Sequence, residues 1–329
     1  MNDPPTHHPD WIAQYDALVS SAGLVELAER TQIELTGADR ATFLHNLCTN
    51  DVRQLEVGAG CEAFLTSVQG KTLAHVFIFA CPDSLVIDTV GGWSDTILKH
   101  LDHYLVSEQV TLADRSREWT DLVLAGPGAE PLWARLGDAR LPPRLLSHAA
   151  VAVAGKRAFL RRIDMTSPGG FLISAAREDG PAIAAALVAA GAVQCGDAAF
   201  EAARIERGFP FFGRDISDKN LPQEVGRDQS AISFVKGCYL GQETVARIDA
   251  LGHVNKRLSG LWFKGAAVPE PGTELLSGER VVGQVTSASY SPRLQAPLAL
   301  GYVRTGSHAP GTRLTSALGD AEVVPLAGR

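Results

Sequence analysis

Residues 60–90, "GCEAFLTSVQGKTLAHVFIFACPDSLVIDTV", constrain the fold more than any other stretch. Three apolar runs are separated by the turn sequences "VQGK" and "CPDS". Parallel neighbours need a crossover of a dozen residues or more, so runs this close must pair antiparallel. Ahead of them, "TQIEL" at 31–35 reads as a strand. "TGADRATFLHNL" then reads as a helix capped by Asp39 or Thr36, with Phe43, Leu44 and Leu47 on one face. Behind them, "SDTILKHLDHYLV" places Ile97, Leu98, Leu101 and Leu105 inward with Ser94 as cap, and "EQVTLAD" reads as a strand. That order is α+β, not a doubly wound parallel sheet.

A second cycle begins at "DLVLAGPGAEPLWARLG". It has a strand, a Gly-Pro-Gly turn, a helix, a hairpin over 151–175 and an alanine-rich helix ended by Gly191. Asp197 then caps "AAFEAARIERG". After about residue 255 the texture changes to short strands broken by glycine turns, which predicts a small closed or sandwiched β domain.

The formal charge of −7 argues against a broad nucleic-acid footprint, and no stretch approaches 18 apolar residues, so neither direct nucleic-acid nor membrane partnership is expected. "MNDPPTHHPDW" lacks a basic segment followed by an apolar run and reads as a disordered lead-in, not a secretory signal. Cysteines at 48, 61, 81, 195 and 238 form no Cys-x-x-Cys pair. That spacing suits a reducing cytoplasm and offers no recognisable metal or cluster motif.

Cys238 stands in "FVKGCYLGQETVAR". A thiol just before a helix meets unpaired amides and the positive end of a dipole, and Lys236 and Arg247 add charge. The same spacing also fits a small buried hydrophobe. Gln242 and Glu243 read as a hydrogen-bonding pair facing a pocket, or as first-turn residues favoured by the dipole. Tyr239 offers a flat face with a hydroxyl. Phe200 and Arg204 share a helical face, an aromatic to stack beside a guanidinium that takes carboxylates. His100 and His103 have metal-compatible spacing but flank a solvated face.

"LTGADRATFLHNLCTNDV", "LAGPGAEPLW", "RIERGFPFFGRDI", "FVKGCYLGQETVAR" and "GQVTSASYSPRLQAPLALGYV" follow one another in the order seen in the glycine-cleavage T-protein superfamily. The resemblance spans about residues 24–304. Within that superfamily, Lys-Gly-Cys-Tyr-x-Gly-Gln-Glu at 236–243 resembles the branch called YgfZ-type. Such a resemblance implies a three-domain ring around a folate pocket. It comprises a lead-in (1–29), two interleaved α+β subdomains (30–115 with 195–255, and 116–194) and a C-terminal β-barrel-like domain (256–329). It also implies a tetrahydrofolate-binding accessory protein for iron–sulfur enzymes, including tRNA-modifying ones, with iron–sulfur client or assembly proteins as partners. Cys238 falls on the branch's signature thiol. Phe200, Arg204, Tyr239 and Arg247 become candidate folate contacts, and Arg30 takes the place of an aromatic pterin contact. Two features depart from the pattern. Ala74 and His75 stand where T-proteins carry a carboxylate pair, and "DMTSPGGFLIS" has no carboxylate between Ser167 and Phe171. Ordinary aminomethyl transfer is therefore not expected. A folate-dependent one-carbon transferase and a folate-free scaffold remain the alternatives.

Overall fold

The computed structural model describes residues 10–136 and 141–326. The chain opens with a helix, α1 (Trp11–Ser20), and a short strand, β1 (Gly23–Glu26). The lead-in expected over 1–29 is thereby corrected, with residues 1–9 lying outside the described residues. Tyr15, Leu18, Leu24 and Val25 are buried, so this segment is part of the core. The proline-rich stretch ahead of it obscured that apolar spacing.

The predicted antiparallel unit follows: β2 (Arg30–Thr36), α2 (Arg40–Leu47), β3 (Gly60–Thr66), β4 (Thr72–Ala80), β5 (Ser84–Val90), α3 (Ser94–His103) and β6 (Thr111–Asp114). Its strands form a five-stranded sheet in the order β3-β4-β5-β2-β6. Asp39 does sit at the start of α2, but its carboxylate accepts from the Gln109 amide at 2.8 Å and caps no amide of the helix. Trp93, not Ser94, occupies the cap of α3, and the Ser94 hydroxyl pairs with Ser116 instead.

The second cycle comprises β7 (Trp119–Ala125), α4 (Ala129–Arg135), β8 (His148–Val153), β9 (Lys156–Arg162), β10 (Phe171–Ala176), α5 (Gly180–Ala189) and β11 (Val193–Cys195). With β1 it makes a six-stranded sheet ordered β11-β1-β7-β10-β9-β8. The β1–β11 pair is parallel, the other pairs antiparallel. Next comes α6 (Asp197–Arg207), which opens on Asp197 with Gly196 at its cap. Three further helices, α7 (Pro222–Val225), α8 (Asp228–Ala231) and α9 (Gln242–Leu251), return the chain to the first sheet. There Val225, Ile232, Tyr239 and Val245 pack on Phe64.

The last six strands, β12 (Lys256–Phe263), β13 (Glu274–Ser277), β14 (Arg280–Ser291), β15 (Ala296–Arg304), β16 (Arg313–Ser316) and β17 (Gly319–Val324), close into a barrel through pairing of β12 with β17. The fold is thus mixed α+β with two sheet-rich parts and a closed C-terminal barrel.

Strand alternation sorts each sheet into two faces. On the first sheet, Ile33, Leu35, Ala63, Leu65, Val76 and Ile78 meet Phe43, Leu44 and Leu47 of α2 and Ile97 and Leu101 of α3. On the second, Leu122, Leu124, Leu160 and Ile173 meet Leu132, Trp133, Ile183 and Leu187 of α4 and α5. The remaining faces oppose one another. Phe77 and Phe79 of the first sheet share a cluster with Val25, Val123, Ile163 and Leu172 of the second, plus Phe200 of α6. The result is helix, sheet, sheet, helix, with a mixed polar and aromatic space between the sheets.

Candidate functional site between the sheets and at the signature loop

At one end of the inter-sheet space the buried Glu62 carboxylate is fully engaged. Its Oε1 accepts from His75 Nε2 and Arg227 Nε, each at 2.6 Å, and its Oε2 accepts from Arg227 Nη2 at 2.6 Å. Burial alone would raise this carboxyl's pKa, but Arg227 and His75 overturn that and hold it well below the usual range. The His75 ring lies against Phe64 and Phe77, and Phe77 stacks on Phe209 at 6.0 Å. The cavity beside this cluster, which reaches Ile163, Asp164 and Arg207, measures only about 50 Å³. That is room for a water or so.

The other end is roomier. A cavity of about 320 Å³ is lined by Gln32, Phe79, Trp119, His148, Phe159 and Arg161, with Glu34, Cys81, Arg115 and Glu118 around it. Beneath it runs a charged layer. Asp88 accepts from Arg30 Nε at 2.9 Å and from Arg161 Nη1 at 3.0 Å. Asp121 accepts from Gln32 Nε2 at 3.0 Å and from the Ser174 hydroxyl. Burial and the nearby Asp88 push the Asp121 carboxyl up. The Arg161 guanidinium also lies 4.6 Å over the Phe79 ring. Two atoms here are unfinished: among the described residues, Arg161 Nε and Gln32 Oε1 have no hydrogen-bond partner although both side chains are at least 97% buried. An orphaned buried donor or acceptor costs about 1–3 kcal/mol, so this pair is a standing cost in the charged layer beneath the cavity.

The signature loop is held from below. Lys236 Nζ donates to the carbonyls of His45, Cys48 and Asn50 at 2.5–2.8 Å, tying the loop to the end of α2. Burial lowers this ammonium's pKa. The Tyr239 ring lies 4.8 Å from it and is itself buried, which raises the phenol's pKa. Further on, the Leu240 amide donates to Asn46 and its carbonyl accepts from Thr66. Gly241 turns into α9 with φ +80°, and a Cβ there would lie 2.5 Å from Ser67 O. The loop thus closes on the β3–β4 turn, where no larger residue fits. Cys238 is left exposed beside an apolar groove of about 340 Å³ lined by Phe43, Leu47, Tyr104, Tyr239 and Leu240.

These placements revise several expectations. Lys236 is spent on three carbonyls and Tyr239 packs in the core. Glu243 and Arg247 are exposed on α9, and Gln242 is half-buried at its start. Phe200 packs against Phe211 in the core, and neither it nor Arg204 lines the inter-sheet cavity. Arg204 is fully buried: its donors go to Glu201, Asp215, the Phe209 carbonyl and Ser287, locking α6 to the barrel. That role follows from burial, because a guanidinium with no water must find carboxylates and carbonyls within the protein. Arg30 is not a stacking residue but one half of the Asp88 ion-pair cluster. Sequence reasoning missed Gln32, Glu62, Arg161 and Arg227. A signal for three of them was present: Glu62 in "GCEAFLT", Gln32 in "TQIEL" and Arg161 in "AFLRR" each interrupt an apolar strand at inward-facing register.

The chain matches the GCVT N-terminal domain over residues 4–234 and the glycine cleavage T-protein C-terminal barrel domain over 256–326. An aminomethyltransferase of Thermus thermophilus is 29% identical over 98% of this chain and 93% of its own length. A putative chloroplastic transferase of Arabidopsis thaliana is 27% identical over 91% of this chain and 69% of its own length. The crystal structure of the glycine cleavage system aminomethyltransferase T from Bartonella henselae shares the fold with a TM-score of 0.87, covering 99% of this chain and 91% of that one at 19% identity. With both of its domains matched in order, the chain belongs to the glycine-cleavage T-protein superfamily.

Proposed function

We propose that this chain is a reduced-folate-binding accessory protein of the YgfZ-type branch, supporting iron–sulfur cluster enzymes in the cytoplasm and presenting Cys238 as its working thiol. The observation that carries the folate part is the cavity of about 320 Å³ between the sheets, walled by Phe79, Trp119 and Phe159 with Gln32, His148 and Arg161 as its polar lining. A pterin is a flat heterocycle with donors and acceptors along one edge. Cavities of roughly 300–1,000 Å³ with aromatic walls and few polar groups suit such ligands. The narrow end, by contrast, is too small for a pterin unless the Leu145–Leu146 segment beside it steps back.

The accessory role rests on what the narrow end lacks. Ala74 faces the α2–α3 side of the sheet, His75 supplies no anion, and Glu62, the buried carboxylate hydrogen-bonded to His75, is already neutralised by Arg227. A carboxylate held this way is poorly placed to stabilise a cationic intermediate. Cys238 supports the thiol role because it is the exposed one of five cysteines. Its clients on this reading are iron–sulfur enzymes, tRNA-modifying ones among them, or their assembly proteins.

A folate-dependent one-carbon transferase is the second reading, favoured by the relatives named aminomethyltransferase. Anaerobic calorimetric titration with tetrahydrofolate tests the shared folate step. One-to-one binding at micromolar Kd, about −8 kcal/mol, is expected, weakened in Arg161→Ala. Absence of binding overturns both readings. Formation of methylene-tetrahydrofolate from an amine donor at a catalytic rate would replace the accessory reading with the transferase.

A further inference from the structure

Where the barrel meets α7, α8 and the far end of α9, a cavity of about 280 Å³ opens that shares no lining residue with the inter-sheet cavity. Junctions between domains are favoured places for small-molecule sites. The walls here are of three kinds. Phe234, Ile248 and Val254 form an apolar side. Gln223 of α7 and Asp249 of α9 bring acceptors, and Arg257 of β12 and His308, in the loop after β15, bring nitrogen groups of the opposite character. The frame is fixed: Arg257 Nη2 meets Asp228 at 2.9 Å, and the Thr305 amide donates to the Asn255 carbonyl at 2.9 Å.

Three wall residues carry an unfinished polar atom. Gln223 Nε2 donates to the Val245 carbonyl at 2.7 Å, which sets the amide's orientation and leaves Oε1 without a partner on a residue only 4% exposed. Among the described residues, Arg257 Nε and His308 Nδ1 are also without partners. The charges decide which ligand suits the mixture. A simple cation is opposed by Arg257. A simple anion is opposed by Asp249 and by the C-terminal end of α9, where the helix dipole is negative. A small zwitterion meets both sets with the right sign, and the apolar wall leaves room for a hydrocarbon side chain.

We propose that this junction binds a free α-amino acid with an apolar side chain. The ammonium lies toward Asp249, Gln223 and the end of α9, the carboxylate toward Arg257 and His308, and the side chain against Phe234, Ile248 and Val254. The site is at the opposite end of α9 from the signature loop and does not depend on the folate reading.

The test is a calorimetric titration of the full chain with leucine, for which saturable binding with a Kd below about 1 mM is expected. Leucine methyl ester lacks the carboxylate, 4-methylpentanoate lacks the ammonium and glycine lacks the side chain. Each should bind about tenfold more weakly or worse. Asp249→Asn and Arg257→Gln should each weaken leucine by about tenfold, whereas Arg280→Ala, at an exposed barrel arginine outside the cavity, should leave it unchanged. Arg257→Gln also breaks the pair with Asp228. Asp249 is exposed and makes no ion pair among the described residues, so Asp249→Asn keeps the test open if the other variant does not fold. No saturable binding of leucine overturns the proposal. So does affinity for the ester, the acid or glycine equal to that for leucine, or leucine affinity unmoved by Asp249→Asn. None of these outcomes bears on tetrahydrofolate binding, so the two readings fail separately.

Discussion

At the narrow end of the inter-sheet space, both Glu62 oxygens accept from cationic or ring N–H donors, and the Arg227 guanidinium lies 5.5 Å over the Phe209 ring. More charged groups are buried at the open end, where Arg30 and Arg161 share Asp88 beside Asp121, yet among the described residues Arg161 Nε and Gln32 Oε1 are left without partners. The first arrangement is a finished network, which rigidifies and closes the space around it. The second carries a standing cost that a well-packed core would have removed, beside a cavity large enough for a ligand. A closed network and an open cavity are thus divided between the two ends of one layer.

The largest effect should come from breaking the finished end. Arg227→Ala leaves Glu62 buried with only His75 beside it, and stability measured by urea unfolding should fall by about 3–5 kcal/mol. Arg161→Ala is expected to cost less, about 1–2 kcal/mol, because Asp88 keeps its Arg30 partner. A reversed ranking of the two variants would dissolve the distinction between the ends.

Acid sharpens the same contrast. Glu62 has a folded-state pKa depressed from 4.5, chiefly because Arg227 outweighs burial. The folded protein thus resists its protonation more than the unfolded chain does. Its contribution is present above the unfolded value near 4.5 and is lost progressively as pH falls below it. Stability followed from pH 7 to pH 3 should drop less steeply in Glu62→Gln than in the unaltered protein. Equal slopes would mean that Arg227 does not hold this carboxylate ionised.

At the open end the expected change is in binding. Gln32→Leu removes a polar lining group of the cavity together with the donor to Asp121 and should weaken tetrahydrofolate by about tenfold, near 1.4 kcal/mol, read by calorimetry. Unchanged affinity would move the ligand away from this cavity.

The sequence showed most of the scaffold, because strands joined by four-residue turns and glycine-broken runs admit few arrangements. It did not show which face each polar interruption takes. Register decides that, and register is set by pairing across the sheet: Phe64 stands opposite His75, and Glu62 is two residues along on the same face. Arg204 misled for a related reason. Its i, i+4 spacing with Phe200 is real, but the barrel packs over that helix and consumes the guanidinium, a tertiary event with no local signature. The signature motif was legible as a loop before a helix. The inward turn of Lys236 was not, since the carbonyls it binds lie 186–191 residues away along the chain.

The smallest energetic effect belongs to Cys238, which sits outside both networks. Cys48, Cys61 and Cys195 are buried and Cys81 is half-buried, so access alone separates Cys238 from the other four. Burial also raises the pKa of each of those four thiols, which lowers the thiolate available for attack. Both factors act in the same direction: an alkylating reagent at pH 7.5, or any pH near it, should modify Cys238 first, with peptide mapping locating the label. Cys238→Ser should shift unfolding stability by no more than about 0.5 kcal/mol, since little packs on an exposed thiol. That pairing of fast labelling with negligible stability cost is what a side chain kept for chemistry would show. A large loss of stability in Cys238→Ser would instead make the thiol a packing group of the apolar groove, and the comparison between structural and receptive regions would then extend to the signature loop itself.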